Sequence, residues 1–281
     1  MKLTIKHSGN IGDIIYSLPA MRAASRLHKE KVIVQLQTNK KAEYADNPNF
    51  KHPSGSVMLT TTGADMLRPL LLATDFIEGV QIADSFEEST YNFDRMRDIG
   101  LRYQGSISRW YFYAFPELTC DLSEPIEFNV KAKKTSRIVI NRTERYHNPT
   151  FDYRVLLPFR HIMTFIGLPS EYDIINRKLP DMPHALVSNF LETAAIIKGC
   201  HTFIGNQSMA YAIAEVMGHN RILEVSPFAH NCIPMTPNGY DCMNLQNLVE
   251  HMKRMHGDYR KSLQLERASI ATDEYAPNKN F

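Results

Sequence analysis

Residues 1–24, MKLTIKHSGNIGDIIYSLPAMRAA, decide how this chain is read. Leu3 to His7 alternates apolar and polar residues and predicts a short strand. Ser8 to Asp13 is a turn with two glycines, and Ile14 to Leu27 has helical spacing, with Pro19 bending it. Val32 to Leu36 predicts a second strand. Strand, glycine turn, helix and strand in this order open an α/β unit with a parallel sheet and a right-handed crossover.

Working outward, residues 40–63 are rich in Pro, Asn, Ser and Gly and are expected as loop, and Phe76 to Ile82 as strand. Phe93 to Phe115 has helical spacing broken by Gly100 and Gly105. A second beginning follows: Arg137 to Asn141 reads as a strand running into a polar turn, NRTERYHNP. Helices are expected at 153–166 and 185–198, closed by Gly167 and Gly199. Thr202 to Ile204 predicts a strand, Asn206–Gln207–Ser208 a turn and cap, and Met209 to Met217 a helix closed by Gly218. Ile222 to Val225 predicts one more strand, and a long charged helix is expected from about Leu245 to Leu265, packing back on the first half. Two α/β halves give two domains, 1–133 and 134–250, followed by a C-terminal helix and tail, 251–281.

Composition bounds the function. With 43% apolar and 22% charged residues, a disordered or fibrous chain is excluded. A balance of 32 basic against 30 acidic side chains, net +2, argues against a protein that coats nucleic acid. Four cysteines show no C-x-x-C spacing and no H-E-x-x-H occurs, so no zinc site is expected. The N-terminus turns polar after five residues, and no apolar run approaches the ~20 residues of a membrane span. A cytoplasmic chain with reduced thiols and no membrane span is expected.

Three turns carry chemistry, each with a plainer structural role beside it. Gly12 and its neighbours let backbone approach a ligand, and Asp13 at a helix N-terminus either caps the helix or, ionised, takes a proton from an attacking hydroxyl. Asn206, Gln207 and Ser208 open a helix at a strand's carboxyl end, which suits a phosphate or is an ordinary cap. Asn141, Arg142, Thr143 and Arg145 lie on the loop beyond the second half's first strand. There they either neutralise a diphosphate or form a solvated loop.

Together these segments resemble the heptosyltransferase-like glycosyltransferases. MKLTIKHSGNIGDIIYSLPAMRAA is similar to that family's opening, and GCHTFIGNQSMAYAIAEVMGHNRILEV to its donor-side segment. The resemblance implies the GT-B architecture, two Rossmann-like α/β domains facing a cleft. It implies Asp13 as the general base on the acceptor side. Gly12, Asn141, Arg142, Thr143, Arg145, Asn206, Gln207 and Ser208 are implied around the donor's diphosphate. Where the family carries Gly-Pro-x-His, this chain reads Met209–Ala210–Tyr211–Ala212, and Tyr211 is the expected substitute for the histidine contact. The donor's identity therefore does not carry over. The implied activity is an inverting, metal-independent transfer from a nucleotide-diphosphate sugar, with no resident cofactor, by a monomer or weak oligomer. The rival readings are a nucleotide-sugar hydrolase or epimerase on the same fold, and a non-catalytic ligand-binding protein. Arg102, Arg109, Trp110 and Tyr111 are acceptor-side candidates, for a saccharide, a lipid-linked sugar or a modified DNA base, or else they belong to an amphipathic helix.

Overall fold

The computed structural model describes residues 2–42, 52, 54–100 and 105–257. Its first sheet contains β1 (Thr4–His7), β2 (Val32–Gln37), β3 (Ile77–Ala83) and β4 (Tyr91–Asn92), all parallel, in the order β3-β2-β1-β4. Its second contains β5 (Ile138–Asn141), β6 (Met163–Phe165), β7 (Thr202–Asn206), β8 (Arg221–Glu224) and β9 (Gly239–Cys242), in the order β6-β5-β7-β8-β9, also all parallel. The expected class, two Rossmann-like α/β halves with a cleft between them, is the observed one.

The expected first helix is two: α1 (Ile11–Tyr16) and α2 (Leu18–His28), broken at Ser17, with Pro19 in the first turn of α2, where its missing N–H costs nothing. A helix that the sequence does not announce, α3 (Thr61–Leu72), follows. Gly63 and Pro69 mask its periodicity, while Thr60 caps it through Gly63 N–H. The stretch 93–115 holds a 3₁₀ turn at Phe93–Arg97 and α4 (Ile107–Ala114), and the expected breaks at Gly100 and Gly105 have φ of 69° and 67°.

In the second half, the helix expected over 153–166 is corrected to a 3₁₀ segment, Tyr153–Ile162, followed by edge strand β6. Pro158 removes a backbone donor inside the segment, and Met163–Thr164–Phe165 pair with Ile138–Val139–Ile140. After α5 (Pro169–Asn176) comes α6 (Phe190–Gly199), which starts later than expected because Asn189 caps it by accepting the Glu192 N–H. Then come α7 (Met209–Val216) and α8 (Leu245–His256). Contrary to expectation, α8 packs on β9 and the 153–162 segment, not on the first half, and it runs across residue 250. Its expected continuation to 265 lies outside the described residues.

Strands β5, β6, β7 and β8 of the second sheet are buried on both faces, and their alternation assigns each face. Val139, Phe203 and Leu223 enter one apolar core, while Ile138, Ile140, Ile204 and Ile222 enter another, beneath Leu248 and Met252 of α8. The first of these cores also contains Ile5, Ile14, Leu67 and Val34, so it runs through both halves. The helices α1 on α7 and α3 on α6 make that junction. Both halves thus present strand carboxyl ends to one cleft, with β1 of the first sheet and β5 and β7 of the second at the positions where strand order reverses. Open α/β sheets bind ligands at such points.

Candidate active site

The cleft has a volume of about 670 Å³. Asn10, Gly12, Asp13, Met58, Arg97 and Trp110 line it from the first half, and Thr143, Arg145, Glu171, Gln207 and Ser208 from the second. Apart from its chain neighbours and its own helix backbone, nothing lies within 4 Å of where a Cβ on Gly12 would stand, so this residue is open towards the cleft. Asn141 also lines it, with its side-chain amide donating to Ile166 C=O.

Asp13 is the third residue of α1, and its carboxylate accepts the backbone N–H of Asn10, the residue before the helix. It therefore does cap the helix. The same carboxylate also faces the cleft and takes a 2.8 Å hydrogen bond from Nη2 of Arg97. Burial pushes the Asp13 carboxyl above its ordinary value, and Arg97, Asn10 N–H and Arg145 oppose that rise without cancelling it. A carboxyl whose proton affinity is raised is, in its ionised form, a stronger base.

A buried hydrogen-bond chain fixes the turn. Gly9 N–H donates to His7 Nδ1 at 2.9 Å, which makes Nε2 the protonated nitrogen, facing the Tyr111 hydroxyl at 2.7 Å. That hydroxyl donates to the backbone carbonyl of Asp13 at 2.9 Å. Burial pushes His7 down to about 3, so the ring is neutral. Gly9 is required for space: a Cβ would meet Arg97 Nη2 and His7 Cε1, each at 2.6 Å.

Across the cleft, Asn206 is fully buried and does not line it. Its amide donates to the Thr143 and Arg145 carbonyls and its oxygen accepts Thr143 N–H, so it ties β7 to the loop after β5. This corrects its expected donor contact to a supporting one. Ser208 caps α7 by accepting Tyr211 N–H at 3.1 Å. The first N–H groups of a helix lack intrahelical partners and attract anions, and here Ser208, Met209 and Ala210 border the cleft.

Arg142 is turned away from the cleft, correcting its expected contact with phosphate. Its Nε and Nη2 bond Glu224 at 2.8 and 3.0 Å, and its guanidinium lies 4.8 Å from the Tyr153 ring centroid. Tyr211 is likewise corrected: it is fully buried beneath α7 and lines no part of the cleft. Of the acceptor-side candidates, Trp110 lines the cleft, Tyr111 supports Asp13 from behind, and Arg109 is exposed and away from it. Arg102 lies outside the described residues. The sequence places Arg97 only among the cations and aromatics of a candidate acceptor patch, not as a partner of Asp13, and does not assign Glu171 to the site. Arg97 lies 84 positions from Asp13, so no spacing signals the pair. Burial raises the Glu171 carboxyl, which accepts Leu168 N–H at 3.0 Å. Among the described residues, no group of three or more His, Cys, Asp or Glu side chains is arranged to hold a metal, and no helix is long and apolar enough to cross a membrane.

No family model matches this chain, and no curated protein matches it in sequence. Solved structures do share its fold. One is a glycosyl transferase family 9 protein from Veillonella parvula DSM 2008, at 10% identity and a TM-score of 0.58, over 90% of this chain and 88% of that one. Another is the E. coli ADP-heptose LPS heptosyltransferase II, at 10% identity and a TM-score of 0.55, over 91% of this chain and 98% of that one. The likeness spans both sheets, and it is one of fold: the chain has the two-part GT-B architecture.

Proposed function

We propose that this protein is a glycosyltransferase that moves a sugar from a nucleotide-diphosphate donor to an acceptor hydroxyl, with inversion and without a metal. The observation that carries this reading is the facing of Asp13 across one cleft from Arg145, Gln207 and Ser208. A base on one wall and a helix N-terminus with an arginine on the other are the two halves of a displacement at an anomeric carbon. The donor's diphosphate lies against the start of α7 and Arg145, whose charges replace a divalent cation. Asp13 accepts the acceptor's proton as its oxygen attacks from the face opposite the leaving diphosphate. Solved glycosyltransferases that share the architecture support the reading.

Residues 1–133 carry the base and the acceptor side in this proposal, and residues 134–250 the donor side. Arg142 is left out of the phosphate site because Glu224 holds it. The acceptor is a saccharide, a lipid-linked sugar or a modified nucleic-acid base, the protein being monomeric or weakly associating and cytoplasmic. The test is a thermal-shift screen of nucleotide-diphosphate sugars in the presence of EDTA, followed by transfer assays with the stabilising donor and NMR of the product's anomeric configuration. Transfer that survives the chelator and inverts the centre is expected. Activity abolished by EDTA and restored by magnesium or manganese would overturn the metal-free site.

A further inference from the structure

We propose that Arg97 is the positioning residue for Asp13, a clamp that holds the carboxylate against the cleft and is itself anchored by Asp94. The catalytic meaning of this clamp rests on the reading of Asp13 as the base. The geometry comes from three elements. Arg97 ends the 3₁₀ turn after β4 and reaches back to the first turn of α1, where Nη2 meets Asp13 Oδ2 at 2.8 Å. Its Nη1 lies 3.5 Å from Asp94 Oδ1. Asp94 is fixed in turn by Ser8, whose N–H and hydroxyl donate to its two oxygens at 2.8 and 2.6 Å. Ser8, Asp94, Arg97 and Asp13 are thus linked in one chain of contacts beside Gly9, where a side chain would meet Arg97 Nη2 as well as the His7 ring. A carboxylate pinned at one oxygen by a guanidinium keeps lone pairs for an incoming hydroxyl, yet cannot rotate freely.

The groups facing Asp13 are Arg97 from the 3₁₀ turn, Arg145 from the loop after β5, the Tyr111 hydroxyl from α4 and the Asn10 N–H from its own turn. Cys232 stands nearby, His7 lies behind Tyr111 as a neutral ring, and Lys40 pairs with Asp94 at 3.5 Å. Of the charges acting on Asp13, Arg97 makes the largest contribution favouring its ionised form.

The experiment is a ¹³C-detected carboxyl titration of the folded protein, with the Asp13 resonance identified by its loss in Asp13→Asn. In Arg97→Gln the Asp13 carboxyl should titrate about one pH unit or more higher than in the unaltered protein, the effect of removing an adjacent opposite charge. Arg97→Lys should titrate close to the unaltered protein. Arg97→Met, of similar reach and no charge, repeats the test if the glutamine variant does not fold. Unmoved titration in both uncharged variants overturns the proposal. In transfer assays, Arg97→Gln should lower kcat/KM on the order of 10²-fold and move the acid limb of its pH profile upward, with partial rescue by lysine. A uniform loss with no movement of the limb also overturns it. If the unaltered protein transfers no sugar, the reading of Asp13 as base fails, and the carboxyl titration still decides the role of Arg97.

Discussion

Asp13 accepts the N–H that opens α1 and, in the proposed mechanism, also serves as the base, and a single substitution separates the two. Asp13→Asn keeps a side chain able to accept the Asn10 N–H but removes the proton acceptor and the charge facing Arg97. Turnover should fall by a factor on the order of 10²–10⁴, the usual contribution of a general base, with donor affinity retained. Single-turnover kinetics at saturating donor checks this, and a near-normal rate in a folded variant would refute the mechanism. Gly9→Ala should act on the same group indirectly, from a position that does not itself line the cleft. Its methyl displaces Arg97 or the His7 ring, each 2.6 Å from the new Cβ. Overpacking of this kind costs about 1–3 kcal/mol, and chemical denaturation should read a loss in that range together with reduced turnover. Asp13 and Gly12 were legible in the sequence because a strand, a glycine turn and a helix are local and contiguous. The partners of Asp13 were not. Arg97 and Tyr111 reach it from 84 and 98 positions away, brought in by strand order and not by spacing.

Among elements, the loop after β5 shows how one arginine can be taken from the substrate by the fold. Arg142 and Arg145 are three positions apart and equally basic, yet only Arg145 lines the cleft. What separates them is Glu224 at the end of β8, nearly fully buried, which Arg142 and the Tyr153 hydroxyl jointly satisfy. That carboxylate lies 82 positions downstream, so sequence reasoning had no reason to spend Arg142 on it. Arg142→Ala should therefore behave as a stability variant. Breaking a buried pair from one side costs about 3–5 kcal/mol, and urea denaturation should show it, while the donor's dissociation constant measured on the remaining folded protein changes little. Arg145→Ala should do the reverse, weakening donor binding with little loss of stability. The same physics hid Asn206 and Tyr211: a polar or aromatic residue near a helix start reads as a ligand contact until its burial is known. Strands, by contrast, were legible to within a residue or two for β1, β2, β5, β7 and β8, where apolar runs sit between turn residues. The short edge strands β4 and β9 went unread, and β6 was read as the end of a helix.

At the scale of the whole molecule, burial of neutral histidines and the continuity of the core set the response to pH and heat. His7 is held down to about 3, and His219 and His256 to about 4, in each case first by burial. In the unfolded chain these rings take up protons near pH 6.5, so the unfolded state binds more protons between there and pH 3–4. Their contribution to stability is complete above pH 6.5 and declines as pH falls through that window; Asp13 and Glu171, with raised carboxyls, work in the opposite direction. Urea midpoints should accordingly be lower at pH 5 than at pH 7.5, and His7→Gln should flatten the difference. The second response follows from the core. Ile5 and Leu67 of the first half and Val139 and Phe203 of the second belong to one apolar cluster, joined where α1 meets α7 and α3 meets α6. Two sheets that share a core lose much of their buried surface if either melts alone, so they should unfold together. Differential scanning calorimetry should record one transition whose calorimetric and van't Hoff enthalpies agree. A nucleotide-diphosphate sugar bound between the halves should raise that single transition, by the equivalent of about 2.7 kcal/mol at a hundredfold excess over its dissociation constant. Two resolved transitions, of which the ligand moves only the one belonging to the second sheet, would show that the halves are independent and that the donor site does not draw on the wall bearing Asp13.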